Sequence, residues 1–158
     1  MLPQLEQWKK EGKKIVFTNG VFDILHAGHV TYLKKAQSLG EVLIVGLNSD
    51  HSTKRLNKSP ERPIHDEQAR KIVLESLRFV DAVLIFNDDT PLQLILEIQP
   101  DILVKGGDYS PDISDPLDKK YMVGAKEVKS WGGKAIVIDL VDGYSTTTTL
   151  NKMIKTNG

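Results

Sequence analysis

Five short apolar runs, rich in β-branched residues and mostly without polar alternation, recur along the chain. They are residues 14–18, 42–47, 82–86, 102–104 and 135–138. Strands have this composition when both faces of their sheet are covered, as in a parallel sheet packed between helices. This feature restricts the chain to a narrow group of α/β folds.

Segments with apolar residues three or four positions apart separate these runs. They predict helices over residues 30–39, 67–77, 91–98 and 121–131. Asp66 can cap the second of these helices, and Thr90-Pro91 is a typical start for the third. The alternation predicts a single doubly wound, Rossmann-like domain over residues 1–158 with a five-stranded parallel sheet. Ligands of such sheets bind beyond the carboxyl ends of the strands, at the topological switch point.

Composition excludes several classes of function. The 158 residues contain 21 acidic and 21 basic side chains, and zero net charge argues against a general nucleic-acid or membrane-surface binder. Cysteine is absent, so neither a thiolate nucleophile nor a cysteine-ligated metal is available. The N-terminal residues lack the apolar core of a signal peptide, and no apolar run is long enough to span a membrane. We therefore expect a cytoplasmic protein with no membrane or nucleic-acid partner.

The loop after the first predicted strand contains two histidines three positions apart, in FTNGVFDILHAGH (residues 17–29). On one turn of a helix, His26 and His29 lie on the same face. A helix N-terminus carries unpaired N–H groups that bind anions, and Gly20 permits close approach of a ligand. The pair therefore predicts a phosphate site.

Alternatively, one histidine caps the helix and the other packs in the core. Zinc is a third reading, which the spacing disfavours.

Five consecutive hydroxyl residues, 145–149, precede the last predicted helix in DGYSTTTTLNKMIK. One hydroxyl is enough to cap a helix, so capping alone explains Ser145 or Thr146. It does not explain the whole series, because serine and threonine are poor helix formers. The series predicts a second phosphate-binding site.

Two other loops follow strands. Residues 48–63 are predicted to form a loop in which the basic residues Lys54, Arg55, Lys58 and Arg62 outnumber the acids. It is either a solvated surface or a site for an anionic ligand. The second loop, Lys105-Gly106-Gly107-Asp108, is either a plain tight turn or a place where backbone approaches a nucleotide and Asp108 accepts from ribose hydroxyls.

The stretch GVFDILHAGHVTYL resembles the GxFDxxHxGHxxxL signature of the nucleotidyltransferase family that includes cytidylyltransferases and small adenylyltransferases. In that family an acceptor phosphate attacks the α-phosphate of a nucleoside triphosphate and pyrophosphate leaves. The resemblance implies that His26 and His29 stabilise the reacting α-phosphate, and that GYSTT (residues 143–147) holds the β- and γ-phosphates. Cytidylyltransferases of the family usually carry an arginine-threonine pair just upstream, where this chain has Val141-Asp142.

A longer resemblance, from about residue 14 to residue 154, is to the adenylyltransferase domain of the bacterial heptose-phosphate enzymes. It rests on DTP at residues 89–91, QPDILVKGGDY at residues 99–109 and GGK at residues 132–134. It implies transfer of AMP from ATP to D-glycero-β-D-manno-heptose 1-phosphate, giving ADP-heptose for lipopolysaccharide core synthesis. Many bacteria fuse this domain to a sugar kinase, so this chain is expected to be a stand-alone version, working with a separate sugar kinase, or an excised domain.

Two alternatives stay open: a cytidylyltransferase for glycerol 3-phosphate or an amino-alcohol phosphate, and a non-catalytic nucleotide-binding regulatory module on the same fold. The site expected from the resemblance has nucleotide-binding residues and further substrate-binding residues. The nucleotide-binding residues are Thr18, Asn19, Gly20, Phe22, Gly28, Gly106, Gly107, Asp108, Tyr144, Ser145, Thr146 and Thr147. The other substrate-binding residues are Asp23, Lys34, Asn48, Asp50, Arg62, Arg70 and Lys105. For Arg62 and Arg70 the resemblance implies a contact on either the triphosphate side or the acceptor side.

Some of these residues have an alternative role. Asp23 either contacts the substrate or orients the loop, and Lys34 either faces the phosphates or is solvated. Mg²⁺ is expected to bind chiefly through the phosphates of ATP, without a dedicated set of protein ligands. Leu2, Leu5 and Trp8 on the first helix pack either within the chain or across a homodimer.

Overall fold

The computed structural model describes residues 3–56 and 59–157, so Leu2 and Lys58 lie outside the described residues. This part of the chain forms five strands: β1 (Ile15–Gly20), β2 (Val42–Asn48), β3 (Ala82–Phe86), β4 (Ile102–Gly106) and β5 (Lys134–Ile138). It also forms seven helices: α1 (Pro3–Lys10), α2 (Ala27–Gln37), α3 (Asp50–Arg55), α4 (Glu67–Glu75), α5 (Leu92–Ile98), α6 (Ala125–Ser130) and α7 (Thr146–Asn157). The described helices include none long and apolar enough to cross a membrane.

The five strands form one parallel sheet in the order β3-β2-β1-β4-β5. The chain builds outward from β1 to β3, then returns to the other side of β1 to place β4 and β5. The topological switch point therefore lies between β1 and β4. The predicted fold class, a doubly wound sheet of five parallel strands, is confirmed.

Helices cover both faces of the sheet, which explains why the strands lack polar alternation. On one face α2 and α4 pack through Leu33, Ala36 and Leu74. On the other face α1, α5 and α6 pack through residues that include Leu5 and Ile95. Leu5 is only 1% exposed, so this side chain of α1 packs within the chain.

Two elements differ from those predicted. Residues 48–63 do not form an irregular loop throughout, because α3 begins after Ser49, whose hydroxyl accepts from the Ser52 amide at 3.0 Å. The capping serine was a signal for a helix that the charged composition obscured. Helix α6 begins at Ala125 rather than at residue 121, because Gly124 has a left-handed backbone (φ 88°) that cannot continue a helix.

Candidate active site

A cavity of about 520 Å³ opens at the switch point, beside the carboxyl ends of β1 and β4. Its size is that of an ordinary small-ligand site. Residues from both halves of the chain line it: Asn19, Gly20, Val21, Phe22, Asp23, His26, Gly28, His29, Tyr32, Arg62, Lys105, Gly106, Tyr109, Leu140, Val141, Tyr144, Ser145, Thr146 and Thr147. The histidine pair and the hydroxyl series, more than a hundred residues apart, thus face the same space.

The two histidines form a reciprocal cap on α2. His26 is the N-cap residue, and its Nδ1 accepts a hydrogen bond from the His29 amide at 3.4 Å. His29 in turn uses its Nδ1 to accept from the His26 amide, also at 3.4 Å. The rings stack with centroids 3.8 Å apart and an angle of 20° between their planes. The three-residue spacing therefore produces a capping box built from two imidazoles.

This cap determines which ring nitrogens can donate. A neutral imidazole carries a single N–H, so a ring whose Nδ1 accepts has its proton on Nε2. Burial lowers the pKa of His26, which favours this neutral form at neutral pH. The Nε2 of His26 is buried and has no hydrogen-bond partner within residues 3–56 and 59–157. The network thus assigns Nε2–H as the group that His26 offers to a ligand.

Gly28 lies where the His26 ring meets the loop that enters α7. A Cβ atom at this position would lie 2.9 Å from Cε1 of His26 and 2.9 Å from Cβ of Tyr144. The rings of His26 and Tyr144 are roughly parallel, with centroids 6.2 Å apart. The absence of a side chain at Gly28 therefore allows the start of α2 and the loop before α7 to approach each other.

Substituting Gly28 with alanine is expected to lower kcat by about 100-fold, because it displaces the His26 ring by a fraction of an ångström or more. Alanine is intrinsically better than glycine inside a helix by about 1 kcal/mol, so the helix itself gains stability. Steady-state kinetics and thermal melting of Gly28→Ala would test this. Unchanged kcat would show that the close contact has no catalytic importance.

At the start of α7, capping explains part of the hydroxyl series. The Ser145 hydroxyl accepts from the Thr148 amide at 2.9 Å and donates to Thr148 Oγ1 at 2.7 Å. Thr147 differs, because its Oγ1 accepts from the guanidinium of Arg62 at 3.3 Å. The amide groups in the first turn of a helix have no intrahelical acceptor, so this end of the cavity is suited to anionic oxygens.

The Asp23 carboxylate holds the chain segment that follows Arg62. It accepts from the Ile64 amide at 2.8 and 3.0 Å and from the His65 amide at 3.0 Å. Asp23 is 5% exposed and lines the cavity. Its carboxylate is therefore committed to orienting the loop, which was one of the two roles expected for it.

Arg70 does not line the cavity. It is completely buried, and its guanidinium donates to the carbonyl oxygens of Val21 at 2.9 Å, Asn48 at 2.8 Å and His65 at 2.9 Å. It also pairs with Asp50 at 2.7 Å. Arg70, Asn48 and Asp50, all expected to bind substrate, are joined to one another, and none of them lines the cavity. Their tertiary contacts make them supports for the loops that line it.

A buried polar chain connects the strands at the switch point. The hydroxyls of Thr18 and Tyr32 are 2.6 Å apart, and Tyr32 donates to the Val104 carbonyl at 3.3 Å. Burial raises the pKa of Tyr32 to about 12, so this phenol stays protonated. Thr18, expected to contact nucleotide, is fully buried here and joins β1 to α2 and β4.

The remaining expected residues divide in the same way. Gly106 and Lys105 line the cavity, whereas Gly107, Asp108 and Lys34 do not. Five lining residues were not predicted from the sequence: Val21, Tyr32, Tyr109, Leu140 and Val141. Tyr32 carried a usable signal, because it follows His29 by three positions on the same helix face.

The sequence matches a known protein family and several curated relatives. The cytidylyltransferase-like family matches residues 17–150. A protein from Methylobacillus flagellatus named bifunctional protein HldE is 48% identical over 153 residues, which are 97% of this chain and 30% of that protein. A protein of the same name from Syntrophotalea carbinolica is 50% identical over 150 residues, 95% of this chain and 29% of that protein. The chain thus spans about 30% of the length of these curated relatives.

Solved structures show the same fold. The lipopolysaccharide core biosynthesis protein from Thermoplasma volcanium GSS1 is 29% identical, with a TM-score of 0.62 over 85% of this chain and 100% of that one. Thermotoga maritima TmcAL bound with alpha-thio ATP has a TM-score of 0.59 at 14% identity, covering 91% of this chain and 51% of that one, and shows the fold alone. Because the family model matches residues 17–150, the chain belongs to the cytidylyltransferase-like family.

Proposed function

We propose that this chain transfers AMP from ATP to a sugar 1-phosphate, giving a nucleotide sugar and pyrophosphate. One observation carries the proposal: the imidazole cap of α2 and the hydroxyl-rich start of α7 line a single cavity. Each element is suited to bind phosphate oxygens, and together they match the two ends of a triphosphate. The cavity volume also suits a nucleotide better than a macromolecular partner.

In the proposed reaction an oxygen of the acceptor phosphate attacks the α-phosphorus of ATP, and the bond from that phosphorus to the bridging oxygen breaks. Such transfers spread charge over oxygens, so positioning and electrostatic stabilisation supply most of the catalysis. His26 and His29 donate from Nε2 to oxygens of the reacting α-phosphate as charge develops. Thr147 and the first turn of α7 hold the leaving pyrophosphate. The acceptor phosphate is already ionised, so no general base is needed.

Mg²⁺ is proposed to accompany ATP. Among the described residues there is no group of three or more His, Asp and Glu side chains placed to hold a metal ion. The ion would be coordinated mainly by phosphate and water oxygens, as Mg²⁺ often is. When bound, the ion would neutralise charge on the phosphates.

The proposed acceptor is D-glycero-β-D-manno-heptose 1-phosphate. Support comes from identities of 48–50% to relatives named bifunctional protein HldE, and from the similar fold of a lipopolysaccharide core biosynthesis protein. The segment QPDILVKGGDY, on which the resemblance to heptose-phosphate enzymes rests, places Lys105 and Gly106 in the cavity wall. A sugar kinase acting before this chain would supply the acceptor, and we place both steps in the cytoplasm.

Product analysis tests the proposal directly. The protein would be incubated with Mg²⁺, ATP or CTP, and a panel of sugar 1-phosphates together with glycerol 3-phosphate, and the products identified by mass spectrometry. We expect ADP-heptose and pyrophosphate, formed only with ATP. Strict use of CTP would identify a cytidylyltransferase, and ATP binding without turnover of any acceptor would identify a regulatory module. Either result would reject the proposed activity.

A further inference from the structure

The pyrophosphate end of the cavity is lined by the hydroxyl residues at the start of α7, and none of residues 141–147 is basic. Under the proposed function, the leaving group carries several negative charges. The two residues before the GYSTT motif are Val141 and Asp142, of which neither is basic. Apart from the two histidines, Arg62 and Lys105 are the basic side chains within the described lining of the cavity. Besides the Mg²⁺ proposed to accompany ATP, these two side chains are therefore the candidates for stabilising the departing phosphates.

Lys105 and Arg62 occupy different parts of the cavity. Lys105 is at the end of β4, and its ammonium lies 5.3 Å from the centre of the Tyr109 ring. Arg62 comes from the segment before α4, and its guanidinium donates to Thr147 Oγ1 at 3.3 Å. Arg62 therefore lies at the hydroxyl end of the cavity. It is 85 positions away in the sequence from Thr147, the residue it contacts.

The charge of Arg62 is also available. No carboxylate of residues 3–56 or 59–157 forms a salt bridge with it, whereas Arg70, eight positions later, is buried against Asp50. A guanidinium has five N–H donors, so the bond to Thr147 leaves donors for phosphate oxygens. The carboxylate of Asp23, bound to the amides of Ile64 and His65, fixes the segment that presents Arg62.

We propose that Arg62 is a catalytic residue that binds the leaving pyrophosphate together with Thr147. It supplies, from the opposite side of the cleft, the cation missing beside the α7 hydroxyls. As the bond between the α-phosphorus and the bridging oxygen breaks, the electron pair moves onto pyrophosphate, and the guanidinium stabilises that charge. Asp23 is the positioning residue of this arrangement. The inference rests on the proposed function for the identity of the leaving group.

The experiment compares Arg62→Ala and Arg62→Lys with the wild-type chain and with Arg78→Ala, which removes an exposed arginine outside the cavity lining. Isothermal titrations with pyrophosphate, ATP and AMP, each with Mg²⁺, are combined with steady-state kinetics. For Arg62→Ala we expect affinity for pyrophosphate and ATP to fall by about 10- to 100-fold, with AMP affinity unchanged. We expect kcat to fall by about 100- to 1000-fold, Arg62→Lys to recover part of both losses, and Arg78→Ala to behave as wild type.

The inference is overturned if Arg62→Ala binds ATP and pyrophosphate as the wild type does, or loses AMP affinity equally. It is also overturned if only the KM for the acceptor rises, which would place Arg62 on the sugar phosphate. Thermal melting of each variant verifies folding. If the alanine variant is unstable, the same binding and kinetic measurements on Arg62→Lys test the inference. If the wild type turns over no acceptor, the proposed function fails, while the titrations with pyrophosphate and AMP still test Arg62.

Discussion

Replacing His29 with alanine is expected to lower kcat by about 100- to 1000-fold, with a much smaller change in the affinity for ATP. The Nε2–H of His29 is proposed to donate to oxygens on which charge increases in the transition state, and the loss of one such donor costs about 3–4 kcal/mol. Interactions that strengthen only in the transition state affect kcat rather than binding. Single-turnover kinetics alongside ATP titration would measure the two effects separately.

Alanine at residue 29 also removes half of the cap on α2, so a matched variant must separate capping from catalysis. His26→Asn serves this purpose, because asparagine is one of the best N-cap residues but cannot extend a donor to the position of the imidazole Nε2. We expect a melting temperature near that of the wild type and a kcat loss similar to that of His29→Ala. If both variants lose stability yet retain kcat, the two histidines serve the helix and not the reaction.

The fold was predictable because strands that are buried on both faces of a sheet appear in the sequence as uninterrupted apolar runs. Apolar runs such as residues 42–47 cannot form exposed strands, and their alternation with helical periodicity determines the fold class. The short helix α3 was missed because it is only six residues long and ends in two basic side chains, a composition typical of loops. Its signal was the Ser49 cap, a single residue of the kind that also occurs in many turns.

The candidate site was predictable to a lesser extent. Sequence spacing identified His26 and His29, but it could not show that both rings cap α2 through Nδ1, which leaves Nε2 for the proposed phosphate contacts. Arg62 and Arg70 are both arginines in one stretch of the chain, and only tertiary packing separates them: one faces the cavity and the other is buried. The Tyr32 phenol was likewise invisible as a link between strands, because its partners Thr18 and Val104 lie on two different strands.

Substituting Arg70 with methionine is expected to destabilise the protein by about 3–5 kcal/mol, a large fraction of the 5–15 kcal/mol typical of a domain. Methionine can fill much of the same volume, so the loss would be mainly polar. Two buried carbonyl oxygens and the partly buried His65 carbonyl lose their donor, and Asp50 loses its partner. Urea unfolding monitored by circular dichroism would measure the change, with Arg78→Met as the control for removal of an exposed arginine.

The same substitution distinguishes a support from a ligand contact. Arg70 links the Val21 carbonyl, just after β1, to the His65 carbonyl in the segment that presents Arg62. If Arg70 acts only through this link, ATP at saturating concentration should restore part of the stability of Arg70→Met, since binding to the folded state shifts the folding equilibrium. Full stability combined with a large loss of ATP affinity would contradict this, because it would mean that the guanidinium contacts the nucleotide directly.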